Sequence, residues 1–158
     1  MHRTHIASKI GKWAEGYREH LYKDTVGKQT FGYGWNVDDR GCPWEIAEYA
    51  HRYFLEEAEL QLAMNEKYFH SLDAVRAAAV IDMVYNLGWT KFQKFKKMRA
   101  ALNRAVIASC IAEQDYEFEQ AANEAMDSKW YRQVGRRGPV IVEMIRTGEW
   151  DASRFDAG

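Results

Sequence analysis

The spacing of apolar residues changes character along this chain, and each change predicts an element. Ile6, Ile10, Trp13 and Ala14 fall three and four apart with Ser8, Lys9 and Lys12 between them, the pattern of an amphipathic helix. Gly16 follows where such a helix ends, as glycine commonly does. Leu21 and Tyr22, then turn chemistry around Gly27, then the β-favouring Thr30, Phe31 and Tyr33 predict a hairpin. Residues 36–41 read as a polar loop. Pro43 suits the first position of a helix, and Glu45 and Glu48 complement its positive end. Ile46, Tyr49, Tyr53, Phe54, Leu60 and Met64 keep the helical spacing as far as Tyr68, a span of about 37 Å.

The second half is helical throughout. Ser71 is placed to cap a helix with Asp73 in its first turn. Residues 74–87 are almost entirely apolar, as in a helix surrounded by others. Asp82 and Asn86 interrupt that run four residues apart, on one face, either as a buried hydrogen-bonded pair or as the wall of a groove. Thr90 opens a long helix with Phe92, Phe95, Met98, Leu102, Val106 and Ile111 turned inward. Another covers residues 115–126 around Phe118, Ala121, Ala122 and Ala125, and residues 139–146 form the last, capped by Gly148, with Trp150 packing the tail. The fold class expected is α+β, predominantly helical.

Composition narrows the function. The chain has 158 residues, 47% hydrophobic and 14% aromatic with two prolines, which suits one helical domain able to bury about two-thirds of its unfolded surface. Its formal charge of −1 makes no case for nucleic acid or an anionic membrane as a partner. Lys91, Lys94, Lys96, Lys97 and Arg99 are clustered, which reads first as a solvated helix face and second as a patch for an anionic wall. Cys42 and Cys110 lie far apart without metal-ligand spacing, so neither a disulfide nor a metal is expected, and no cofactor is called for. His2 and His5 read as part of a mobile polar terminus rather than as metal ligands. No segment reads as a signal peptide or membrane span.

The candidate chemistry lies in residues 15–35. Glu15 falls in the last turn of the first helix, where backbone carbonyls disfavour a second negative charge, so its carboxyl is suited to act as a general acid. If the hairpin turn centres on Gly27, Asp24 faces Thr30 directly, and a carboxylate and a hydroxyl can hold a water between them. Gly32 and Gly34, alternating with aromatic residues, allow close approach of backbone or ligand. Two carboxylates in unlike surroundings match the division of labour in glycoside hydrolysis. Spacing alone equally fits two solvated charges beside a hairpin.

The pattern Glu, eight residues, Asp, five residues, Thr, running into Phe-Gly-Tyr-Gly, resembles the phage-type lysozymes, or endolysins, of the T-even kind. The resemblance continues in order through residues 71–76 (Ser-Leu-Asp-Ala-Val-Arg), 82–88 (Asp-Met-Val-Tyr-Asn-Leu-Gly), 128–131 (Ser-Lys-Trp-Tyr) and 145–152 (Ile-Arg-Thr-Gly-Glu-Trp-Asp-Ala). It implies a single domain of two lobes. Residues 1–14 form a helix packed on the helical lobe, 15–42 a small hairpin lobe reduced relative to the family, 43–69 the connecting helix and 70–158 the helical lobe. Glu15, Asp24 and Thr30 take the catalytic positions, and Asn36, Tyr85 and Asn86 line the sugar groove. Trp130 and Gly34 support the site, and Arg137, or its neighbour Arg136, pairs with the glutamate.

The same resemblance implies hydrolysis, with inversion, of the β-1,4 bond between N-acetylmuramic acid and N-acetylglucosamine in bacterial peptidoglycan. The enzyme would be a monomer made in the host cytoplasm and released to the wall by an export partner such as a holin. Trp35 departs from the pattern, because family members commonly carry histidine there. The alternative is a non-catalytic peptidoglycan-binding module on the same fold.

Overall fold

The computed structural model describes residues 3–154, and His2 lies outside them. The chain divides into two units, one up to His51 and one from Arg52. Both are built from the elements expected of a mostly helical α+β chain. His5 belongs to a helix rather than to a loose terminus, because the periodic pattern extends upstream and α1 covers Arg3–Glu15.

In the first unit α1 ends at Glu15, and Gly16, at φ 65°, returns its N–H to the Lys12 carbonyl at 3.1 Å. Three strands follow, β1 (Arg18–Lys23), β2 (Gln29–Gly32) and β3 (Trp35–Asn36), in antiparallel order β1-β2-β3. Tyr22 pairs with Thr30 and Lys23 with Gln29, so the turn centres one residue earlier than Gly27. The expected Asp24 to Thr30 register is therefore corrected. Asp24 sits in the turn itself, where its carboxylate ties the loop together. The stretch expected to be a polar loop folds as β3 and a short helix, α2 (Val37–Arg40). Asn36 makes this possible, since its Oδ1 caps α2 by accepting the Asp39 N–H at 3.0 Å.

Helix α3 (Trp44–Asn65) begins just after Pro43, whose carbonyl accepts the Ala47 N–H at 3.0 Å. It stops short of Tyr68, because residues Lys67–Ser71 tighten into a 3-10 turn that buries Tyr68 and Phe69. The second unit then contains α4 (Ala74–Leu87), α5 (Trp89–Phe92), α6 (Lys96–Ile107), α7 (Ile111–Met126), α8 (Lys129–Gln133) and α9 (Arg137–Thr147). Its core gathers Leu62, Val80, Met83, Phe92, Met98, Leu102 and Ile145, all fully buried. Each such side chain contributes about 1.5–3 kcal/mol of burial.

Three sequence expectations change here. Asp73, not Ser71, caps α4, its Oδ1 accepting the N–H groups of Val75 and Arg76 at 3.0 and 2.9 Å. The long helix from Thr90 is broken into α5 and α6. The break allows Phe92 to stack between Trp89 and Phe95, while Phe95 meets Trp130 edge-on at 6.3 Å. Ile111 does not continue that helix inward; it begins α7 and is exposed. Ser109 fixes that start, donating both its N–H and its hydroxyl to Glu113. Trp150 does not bury itself in the tail and is half exposed.

Arg76 binds the two ends of this unit together. Its guanidinium donates to the carbonyls of Ile145 and Arg146 at 2.9 and 3.0 Å, pairs with Asp73 at 2.7 Å and lies 3.7 Å from the Phe118 ring centroid. Gly148 leaves room for it, since a Cβ there would overlap the guanidinium, and φ at Gly148 is 71°. Burial works against the charge on Asp73, but the Arg76 N–H and guanidinium and the Val75 N–H outweigh it and hold the carboxyl below its usual range. A depressed native value means that Asp73 stabilises the fold above the unfolded carboxylate range, and that this is lost as pH falls through the native value. Asp73→Ala is expected to cost about 1 kcal/mol at neutral pH. In urea unfolding, the gap from the native chain should close below about pH 4.

Candidate active site

All three predicted catalytic residues fall in the first unit. Glu15 is exposed at the last position of α1. Tyr33, in the turn between β2 and β3, fixes that helix end: the Lys12 ammonium lies 5.1 Å from its ring centroid, and the Tyr17 ring packs against it at 5.5 Å. The next residue, Gly34, adopts φ 73° and lies so close to Glu15 that a Cβ would come within 2.7 Å of its carboxyl carbon. Only glycine meets both demands. The carboxyl thus rests against bare backbone, which fixes its position without covering it.

Asp24 is held by its own loop. Its Oδ1 accepts the N–H groups of Val26 and Lys28 at 2.9 and 2.8 Å, and its N–H donates to the Lys28 carbonyl at 2.9 Å. Its Oδ2 has no hydrogen-bond partner among the described residues. Thr30, the only buried side chain among the described residues of this unit, donates its hydroxyl to the same Lys28 carbonyl at 3.2 Å. The Lys28 peptide thus couples threonine to aspartate, with no direct pairing across the strands.

The acidic residues of α2 brace this arrangement. Asp38 accepts the Gln29 N–H at 2.9 Å, and Asp39 pairs with Lys28 at 2.7 Å. The hydrogen bond from the Lys28 ammonium holds the Asp39 carboxyl below its usual range. The polar composition of residues 36–41 reads as a loop, and Asn36 three residues before Asp39 is the one sign of a cap. Asn36 caps α2 and donates Nδ2 to Asp39 at 2.9 Å, so one Nδ2 hydrogen remains for a ligand. Trp35 stacks on Phe31 with centroids 4.8 Å apart.

In the second unit Asn86 Oδ1 accepts the indole N–H of buried Trp130 at 2.9 Å. Arg137 is held 3.5 Å from Asp82. Asp82 and Asn86 thus each have a partner from the C-terminal third. Asn86 lies on a ridge between two hollows. One, of about 990 Å³, is lined by Lys91, Lys94, Lys96, Lys97 and Lys129. The other, of about 460 Å³, is lined by Tyr85 and by groups that the sequence did not single out, among them Phe54, Gln61 and Trp89. No group of His, Cys, Asp and Glu able to hold a metal occurs among the described residues.

The profile of the Phage lysozyme family matches residues 12–139, which include the helix end, the hairpin and most of the helical unit. The chain belongs to the phage lysozyme family. It is also similar to "Probable T4-type lysozyme 2" of Dictyostelium discoideum, with 24% identity over 166 residues, covering 87% of this chain and 91% of the relative. As a member of the phage lysozyme family it is a glycoside hydrolase with lysozyme-like activity. The matched segment includes Glu15, Asp24, Thr30 and Gly34. Gly34→Ala is expected to cost about 1–3 kcal/mol of strain and to displace the Glu15 carboxyl. Lysis of permeabilised bacteria should drop on the order of tenfold to a hundredfold while circular dichroism stays helical.

Proposed function

We propose that this chain is a muramidase of the endolysin type, cleaving the β-1,4 bond between N-acetylmuramic acid and N-acetylglucosamine in peptidoglycan. The observation that carries this reading is the contrast between the two carboxylates. Glu15 rests on a helix end against bare backbone, whereas Asp24 is bound by two N–H groups through one oxygen and presents the other. The free Oδ2 of Asp24 is suited to orient and deprotonate a water, and the uncovered carboxyl of Glu15 to give a proton to the leaving oxygen.

In this reading Thr30 acts as a positioning residue through the Lys28 peptide, and it keeps the attacking water in line with Asp24 Oδ2. The water attacks the anomeric carbon on the face opposite the leaving group, so configuration inverts. Asn36 is a sugar-contacting residue of the first unit, and Tyr85 and Asn86 are those of the second, where Trp130 holds Asn86 and Arg137 lies beside Asp82. The enzyme acts as a monomer without cofactor, with no nucleic acid or membrane insertion. It is made in the host cytoplasm and reaches the wall for host lysis with an export partner such as a holin.

Turbidity of permeabilised bacteria tests the acid. Glu15→Gln is expected to lower the lysis rate on the order of a hundredfold to ten-thousandfold. Equal lysis by both proteins would show that the glutamate is not the acid, and no lysis by either would point instead to a binding module. Proton NMR of the first products formed tests the stereochemistry: the α anomer should appear first, and initial β anomer would rule out inversion.

A further inference from the structure

Antiparallel β2 and β3 pair Thr30 with Asn36 and Phe31 with Trp35, so the residue due opposite Gln29 is Val37. Val37 already belongs to α2, and the strand has ended at Asn36. The place that a further strand residue would fill is taken by Asp38, whose Oδ2 accepts the Gln29 N–H at 2.9 Å. An exposed aspartate on a short helix thus completes the pairing of β2.

That N–H belongs to the peptide unit between Lys28 and Gln29. The carbonyl of the same unit accepts the Asp24 N–H at 2.9 Å and the Thr30 hydroxyl at 3.2 Å. A peptide unit is planar, with its N–H and C=O pointing in opposite directions, so it turns as one body. Holding the N–H therefore aims the carbonyl. A carboxylate suits this task, because a hydrogen bond to a charged acceptor is roughly twice as strong as one between neutral groups. Asp38 grips the peptide on the side opposite to the two residues that the carbonyl serves.

We propose that Asp38 is a positioning residue for the hydrolysis: it fixes the peptide plane between Lys28 and Gln29, and through that plane the placement of Asp24 and Thr30 about the attacking water. The proposal rests on the muramidase reading and deepens it. In this role Asp38 touches neither substrate nor water, so its loss slows the chemical step and leaves substrate binding alone. Misplacing a reacting group by about 1 Å costs up to about a hundredfold in rate, and partial freedom of one peptide costs less.

The test combines kinetics on purified peptidoglycan with exchange of backbone amide hydrogens followed by NMR, both on the full chain. Asp38→Ala removes the acceptor and Asp38→Asn keeps an uncharged one. Arg40→Ala is the control, since it alters α2 at a side chain with no hydrogen bond or ion pair among the described residues. Asp38→Ala should lower kcat by roughly threefold to thirtyfold with KM changed less than about twofold. Exchange at the Asp24 and Gln29 amides should quicken on the order of tenfold, while the amides of residues 74–87 exchange as in the native chain. Asp38→Asn should recover part of both effects, and Arg40→Ala should match the native chain. A native kcat in Asp38→Ala, native exchange at Asp24, or a loss carried by KM overturns the positioning role and leaves the muramidase reading standing. An equal loss in Arg40→Ala does the same, because it traces the effect to α2 as a whole. A native chain inert on peptidoglycan removes the muramidase reading and the role of Asp38 with it.

Discussion

The approach of Glu15 to a residue without a side chain is the constraint on which the proposed chemistry depends. A carboxyl at the end of a helix is normally free to swing into water, and every rotamer it samples away from the glycosidic oxygen is unproductive. Here the helix end is pinned by Tyr33, held between Lys12 and Tyr17, and the carboxyl meets the Gly34 backbone. The positive φ at Gly34 turns the chain from β2 into β3 at that point. One residue thus shapes the sheet and limits where the acid can go.

The aspartate is governed by the opposite principle. Glu15 is placed by what is missing beside it, whereas Asp24 is placed by what is bound to it, four hydrogen bonds within five residues. A turn closed by its own carboxylate is rigid without help from a hydrophobic core. That matters in a unit whose only buried side chain, among the described residues, is a threonine. Asp38 and Asp39 extend the same device to α2, so the strands are held by local polar bonds more than by packing.

Much of this was legible in the sequence, for reasons that differ by element. Helices with a clean period and a glycine stop, such as α1 and α9, were predicted because pattern and cap agree. The hairpin was predicted but its register was not: Gly27 suggested the centre of the turn, whereas the Asp24 carboxylate closes the loop one residue earlier. The break between α5 and α6 carries no proline or glycine. It follows from packing Phe92 and Phe95 on the same aromatic stack, which periodicity cannot reveal. The triplet of Glu15, Asp24 and Thr30 was found through family resemblance, since a Glu and an Asp beside a hairpin are common. Trp89 and Gln61 carry no signal of their own in the sequence, since a partly exposed aromatic and a helical glutamine look ordinary until the fold places them around one hollow.

The clasp made by Arg76 bears on how the chain is assembled as it is made. This side chain is made 69 and 70 residues ahead of the carbonyls that receive it, at residues 145 and 146, and the glycine that admits it comes at 148. Until residues 145 and 146 have left the ribosome, a mostly enclosed guanidinium lacks two of its acceptors. The helical unit therefore reaches its final form only after residue 148 has been made, and a message cut short before that point yields helices with nothing to fasten them.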